Sequence, residues 1–205
     1  ALIWKPPPHV IENSVCYIKG YTRRMAQYSH DHRGTPENPG VVVTLVPTPE
    51  WKSLPGSELE DLFINSTSSS SSENSHVYGL VYKIDPRFKK QTKEYLDERE
   101  KDGYETTVVE LFTKDSNNQE KTLGKSHVYI GHTKNSSFCG PKDLNQLAQI
   151  IQRSHGFSGP NKEYLFKLNE EILRLCPHVK DEYLIKLDEL VKDLDSQLVK
   201  KDQSG

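Results

Sequence analysis

The sequence predicts an α+β fold in which a small, mainly antiparallel sheet or barrel comes first and helices follow. Three observations support this: runs with strand patterning recur as far as Ile130, helical spacing governs the chain from Asp143 onward, and nothing alternates strand with helix as a parallel sheet requires. With 205 residues there is chain enough for one domain with a substantial core.

Ala1 to Ile3 reads as the end of a strand, so a preceding segment is expected; Trp4, Lys5 and Pro6-Pro7-Pro8 then stiffen into an extended turn. Val15 to Tyr21 alternates as a half-buried strand does, and Arg23 to Gln27 continues it. His30 to Gly40, carrying Gly34, Pro36, Pro39 and Gly40, is a loop. Val41 to Val46 is a β-branched run closed by Pro47 and Pro49, the pattern of a buried strand.

Residues 55–75 change character. Ser66 to Ser72 holds only Ser and Thr and cannot offset the entropy of ordering, so this stretch is expected to be a disordered surface insertion within one domain spanning 1–201. Val77 to Ile84 is the next strand. After Pro86 the period becomes helical, with Phe88, Thr92, Leu96 and Glu100 on one face and Gly103 as the stop. Strands follow at Glu105 to Phe112 and Ser126 to Ile130. Helices are expected over Asp143 to Ser154, Lys162 to Cys176 with Asn161 as N-cap, and Glu182 to about Lys200, leaving 202–205 as a frayed tail.

The charge balance, 27 basic against 29 acidic residues, excludes a nucleic-acid binder that works by neutralising phosphates. With 34% hydrophobic and 27% charged residues, and no run of about 18 apolar residues, no membrane-spanning helix is expected. Cys16, Cys139 and Cys176 lie far apart and are odd in number, which fits reduced thiols and a cytoplasmic setting. The triplets at Asn65 and Asn135 match a glycosylation pattern too common by chance to outweigh this.

Glu100 is the residue whose chemistry the pattern singles out. It lies at i+4 from Leu96 on the core-facing side and near the negative end of the helix dipole, and both features raise a carboxyl pKa toward what a general acid/base needs. The opposing reading is that Asp97 to Asp102 is merely a solvated charge run. His30, Asp31 and His32 have a zinc-like look, but neither His127 nor His132 is spaced to complete a ligand set, so no metal is expected. Asp31 and Arg33 instead brace the loop or line a pocket for an anionic substrate. Ser154 to Asn161 is Gly-rich but lacks a P-loop ending.

Several ordered stretches together carry a resemblance. They are Leu2-Ile-Trp-Lys-Pro6, Arg23-Arg24, Asp31-His-Arg-Gly-Thr-Pro36, Val42-Val-Thr-Leu-Val-Pro47, Tyr78-Gly-Leu-Val-Tyr82, Tyr95 through Tyr104, Tyr129-Ile-Gly131, Gly140-Pro141, Ser154-His-Gly156 and Ser158 through Leu165. The chain resembles the ChaC-type, glutathione-specific γ-glutamylcyclotransferases, and fungal members above all. The resemblance implies a small β-barrel flanked by helices and a lyase that converts glutathione to 5-oxoproline and cysteinylglycine without cofactor. It also implies that Glu100, ending the motif Leu96-Asp-Glu-Arg-Glu100, is the catalytic carboxylate. By the same resemblance, the family's Tyr-Gly-Ser-Leu turn running into Ile-Trp holds the γ-glutamyl group; Leu2, Ile3 and Trp4 match, and Ala1 stands at the Ser position. Arg33, Tyr104 and Tyr164 are expected as further substrate-binding residues. Met25-Ala26 stand where the family carries Phe-Trp, and the smaller side chains are expected to leave a void or a reshaped pocket wall. Two alternatives stay open: a non-catalytic binding or regulatory relative that has lost the turn, and a cyclotransferase for other γ-glutamyl compounds. Oligomeric state is not readable.

Overall fold

The computed structural model describes residues 2–60, 76–100 and 103–202. The strands are β1 (Val10–Lys19), β2 (Tyr21–Ser29), β3 (Gly40–Pro47), β4 (His76–Ile84), β5 (Tyr104–Lys114) and β6 (Glu120–Gly131), followed by the two-residue β7 (His155–Gly156) and β8 (Gly159–Pro160). The helices are α1 (Thr48–Ser53), α2 (Lys89–Arg99), α3 (Leu144–Arg153), α4 (Asn161–Leu175) and α5 (Glu182–Asp202), with short 3-10 turns at Ser57–Leu59 and Pro86–Phe88.

Four strands pair in the order β4-β1-β5-β6, all antiparallel, and β2 pairs with β3 as an antiparallel hairpin. Side chains join the two sheets at both seams. On one side the Thr44 hydroxyl of β3 donates to the Gly131 carbonyl and accepts from the Gly131 N–H, both at 2.9 Å. On the other, Arg23 of β2 donates to the Tyr78 carbonyl of β4. The result is a small antiparallel barrel. Directly opposed residues in an antiparallel pair share a face. Accordingly Cys16 and Ile18 of β1 point inward with Val77 and Val81 of β4, and they meet Val109 and Leu111 of β5 in the interior cluster.

The larger core lies outside the barrel. Leu144, Leu147, Ala148 and Ile151 of α3, Leu165, Leu168 and Ile172 of α4, and Leu184, Leu187 and Val191 of α5 pack with Met25 and Val41. Their spacing of three and four residues places each apolar stripe on the inward face. Asp143 caps α3 by accepting from the N–H groups of Asn145 and Gln146.

Five expectations are corrected or extended. The strand read through Val15–Gln27 is two strands in different sheets, broken at Gly20, whose φ of 77° only glycine adopts without strain. Leu2–Trp4 is a turn, not a strand end; it is fixed by the Tyr82 hydroxyl, which donates to the Leu2 carbonyl at 2.7 Å. Pro47 and Pro49 close β3 as expected and also open α1, because proline's missing N–H has no partner to lose in a first helical turn. Asn161 is not a cap: Pro160 is, and Asn161 is fully buried, its side chain accepting from the Val41 N–H at 2.7 Å and donating to the Val41 carbonyl at 2.8 Å. The side chain thus extends β3 as a further peptide group would.

The fifth concerns residues 55–60, which were read as part of the disordered insertion. They are ordered, because Glu60 is buried against Arg24, Oε2 to Nε 2.6 Å, while the Arg24 guanidinium lies over the Tyr183 and Trp51 rings. The remaining insertion, 61–75, lies outside the described residues. So do residues 203–205 of the expected tail, although α5 runs on to Asp202.

Candidate active site

Glu100 follows the last residue of α2 and closes the helix through its N–H, which donates to the Leu96 carbonyl at 3.0 Å. Its side chain lines a cavity of ≈ 1680 Å³ that enters the barrel. Burial raises the Glu100 pKa above that of an ordinary glutamate, an effect partly opposed by the Arg99 guanidinium. Asp97, three residues back, has the opposite environment. It accepts from Lys93 Nζ at 2.5 Å and from the Tyr129 hydroxyl at 2.6 Å, and these donors hold its pKa below the usual carboxylate range. One helical turn therefore carries two carboxyls whose surroundings push their pKa values in opposite directions.

The expected binding residues converge here. Leu2, Ile3, Trp4, Arg33, Tyr104 and Tyr164 all line the same cavity as Glu100; Ala1 lies outside the described residues. Trp4 meets the Tyr164 ring edge-on, with centroids 5.3 Å apart. Tyr104 and Tyr164 brace the same point of β3: the Tyr104 hydroxyl donates to the Val43 carbonyl at 2.9 Å, and the Val43 N–H donates to the Tyr164 oxygen at 3.3 Å. Burial pushes the Tyr164 pKa upward, so the phenol stays neutral.

Arg33 is 9% exposed and joins the 30–40 loop to the start of α4. Nη1 donates to the Pro160 carbonyl at 3.0 Å and to Glu163 Oε2 at 3.2 Å, while its backbone N–H donates to the Ser29 hydroxyl. The guanidinium thus braces the loop and still borders the cavity. The β7–β8 hairpin rests on the same loop, its Phe157 and Ser158 N–H groups donating to the Asp31 and His32 carbonyls. Gly156 is required there, since a Cβ would stand 2.2 Å from the Asp31 carbonyl oxygen. His32 bonds the Ser158 hydroxyl through Nδ1 at 2.7 Å, so the His-x-His stretch serves this contact.

Met25 and Ala26 do not form a pocket wall. Met25 is buried among the helices, and Ala26 packs with Val46 and Trp51. Conversely, Arg23, Tyr82 and Tyr129 border the cavity without having been singled out. Arg23 also pairs with Asp181 at 3.1 Å. All three stand in the recurring stretches Arg23-Arg24, Tyr78 to Tyr82 and Tyr129 to Gly131, and those stretches were the available signal.

The arrangement offers a half-buried carboxyl with a raised pKa, a short turn against an aromatic wall, and neutral hydroxyls around one cavity. It suits proton transfer on a small polar substrate held in a bent shape. No helix among the described residues is long and apolar enough to cross a membrane.

Comparisons with known proteins give the family and the fold. A family model described as ChaC-like protein matches residues 1–194. The chain is 36% identical over 192 residues to the glutathione-specific gamma-glutamylcyclotransferase of Schizosaccharomyces pombe, covering 94% of this chain and 89% of that protein. It is 35% identical over 215 residues to the Saccharomyces cerevisiae protein of the same name, covering 93% and 92%. A crystal structure of the yeast cyclotransferase specific to glutathione, labelled with selenomethionine, superposes with a TM-score of 0.82 at 33% identity, covering 94% of this chain and 92% of that one.

Proposed function

The chain belongs to the ChaC-like family, and from that premise we propose that it is a glutathione-specific γ-glutamylcyclotransferase with Glu100 as its general base and acid. The observation that carries the proposal is the Glu100 carboxyl itself: desolvated, raised in pKa, and on the wall of the cavity that the Leu2–Trp4 turn and Tyr164 also line.

The chemistry follows from that environment. Glutathione binds with its α-ammonium at Glu100, whose carboxylate removes one proton. The freed amine attacks the γ-carbonyl carbon of the same molecule and closes a five-membered ring. As the tetrahedral intermediate collapses, the bond to the cysteinyl nitrogen breaks and the Glu100 carboxylic acid returns its proton to that nitrogen; the ring nitrogen passes its second proton to the released amine, leaving 5-oxoproline and cysteinylglycine with a free α-ammonium. Ring closure is intramolecular, so the protein's main task is to hold the bent conformer and exclude water. Leu2–Trp4, Arg33, Tyr104 and Tyr164 form the holding surface. The proton cycle closes on Glu100 and calls for no cofactor. The balanced charge makes a small anionic peptide, rather than nucleic acid, the fitting partner, and three free cysteines suit a reducing compartment such as the cytoplasm.

The test is release of 5-oxoproline from glutathione by the full-length protein. Glu100→Gln preserves shape and removes the base, and is expected to lower kcat by roughly 10²-fold or more. Undiminished turnover in that variant sinks the mechanism. Turnover of other γ-glutamyl compounds at equal efficiency sinks the glutathione specificity.

A further inference from the structure

We propose that Tyr129 is a positioning residue for this reaction: through Asp97 it ties the last turn of α2 to β6 and so holds Glu100 against the cavity. The inference rests on the functional reading above and adds to it the element that orients the base.

Packing holds α2 weakly. Of its eleven residues only Thr92 is buried, so the helix is not seated by packing. The Thr92 hydroxyl reaches the Pro8 carbonyl at a long 3.4 Å, two turns before Glu100. Glu100 itself stands at the frayed end, where backbone groups lack helical partners, and its own N–H bond to Leu96 fixes it only to the helix. The Lys93–Asp97 ion pair is likewise internal to α2.

The Tyr129–Asp97 bond differs in kind. It spans 32 residues, is 2.6 Å long, and joins the last turn of α2 to the rigid β5–β6 ladder. Tyr129 is itself held in the ladder, directly opposite Thr106 of β5. Asp97 lies three residues, about 4.5 Å of helix rise, before Glu100. Tethering Asp97 therefore fixes the turn that carries the base. Among the described residues, the titratable and charged groups facing Glu100 are Arg99 on its own helix, Tyr129 on β6 and Tyr164 on α4. Of these three only Tyr129 binds α2 from another element.

The experiment compares the intact enzyme with Tyr129→Phe, Asp97→Ala, the double variant and Asp97→Asn, measuring kcat and KM for glutathione across pH. The Glu100 carboxyl is also titrated directly by 13C NMR, with Glu100→Gln supplying its assignment. Tyr129→Phe is expected to lower kcat about 10-fold while KM changes less than about 3-fold, the pattern of lost alignment rather than lost binding. A released turn lets Glu100 hydrate, which moves its pKa down toward the ordinary value. Because the base must be ionised, the acid limb of kcat then moves to lower pH. The double variant should be no worse than the poorer single one, and Asp97→Asn, whose amide oxygen still accepts from the phenol, should recover most of the loss. A kcat within twofold of the parent together with an unmoved Glu100 titration overturns the proposal, as do additive losses in the double variant. If the intact enzyme fails to cyclise glutathione, the functional reading falls, while the carboxyl titration still decides the tether.

Discussion

Glu100 and Asp97 share a helix and a charge type, yet their surroundings drive them apart: burial raises one, while Lys93 and Tyr129 lower the other. Such divergence is how a fold assigns a proton carrier. It carries a consequence for stability. A carboxyl whose folded pKa exceeds its unfolded value stabilises the fold fully below the unfolded pKa, and that contribution is lost as pH rises through the folded one. Above its raised pKa the ionised, desolvated Glu100 therefore weakens the fold. Glu100→Gln should raise Tm at pH 7 and leave it nearly unchanged at pH 4, as thermal unfolding followed by circular dichroism at the two values will show. Glu100 stood out as a candidate from its helical face, beside the reading of Asp97 to Asp102 as a solvated charge run, because period and dipole are local properties. Asn161 was misread for the complementary reason: its partner Val41 lies 120 residues away, and a local pattern shows only a capping residue.

Among the elements, helices α3, α4 and α5 were the easiest to read, since each carries a continuous apolar stripe that only one face can bury. Strand β3 was equally plain. The errors gathered where a break signal had two meanings. Pro47 and Pro49 end β3 and also start α1, and Gly20 divides what alternation alone presented as one strand. The 3-10 turn at Ser57–Leu59 is seated by its neighbour Glu60, 3% exposed, on Arg24. Removing one partner of a buried pair leaves the other charge uncompensated. Glu60→Ala is expected to cost about 3 kcal/mol, within the range for breaking such pairs, and Glu60→Gln, which keeps a hydrogen-bond acceptor, less. Urea titration of the two variants measures the difference, and equal midpoints would show the pair to be idle.

At the scale of the molecule, the barrel exists because two sheets meet at seams made by side chains rather than by a continuous ladder. Thr44 and Gly131 form one seam through two buried hydrogen bonds to a single hydroxyl. Thr44→Val keeps the volume and removes both bonds, leaving the Gly131 amide and carbonyl without that partner. The expected cost is about 1–3 kcal/mol, read as a fall in Tm of several degrees by calorimetry. The same closure gathers the site. The Leu2–Trp4 turn, the 30–40 loop, the end of α2, β3 and α4 come from distant parts of the chain and line one cavity.

What the sequence determined by itself was the class of fold, most of the element order, the family, and the candidacy of Glu100. These rest on periodicity and on motif residues, which are properties of short stretches. Only the tertiary structure decided that β1 and β2 belong to different sheets, that Met25 and Ala26 face the cores and not the cavity, and that Arg33 braces α4 while bordering the site. It alone also joined Tyr129 to Asp97. The physical reason is that a contact across 32 or 120 residues leaves no periodic trace in the chain, because it is selected by how closed sheets and packed helices share space.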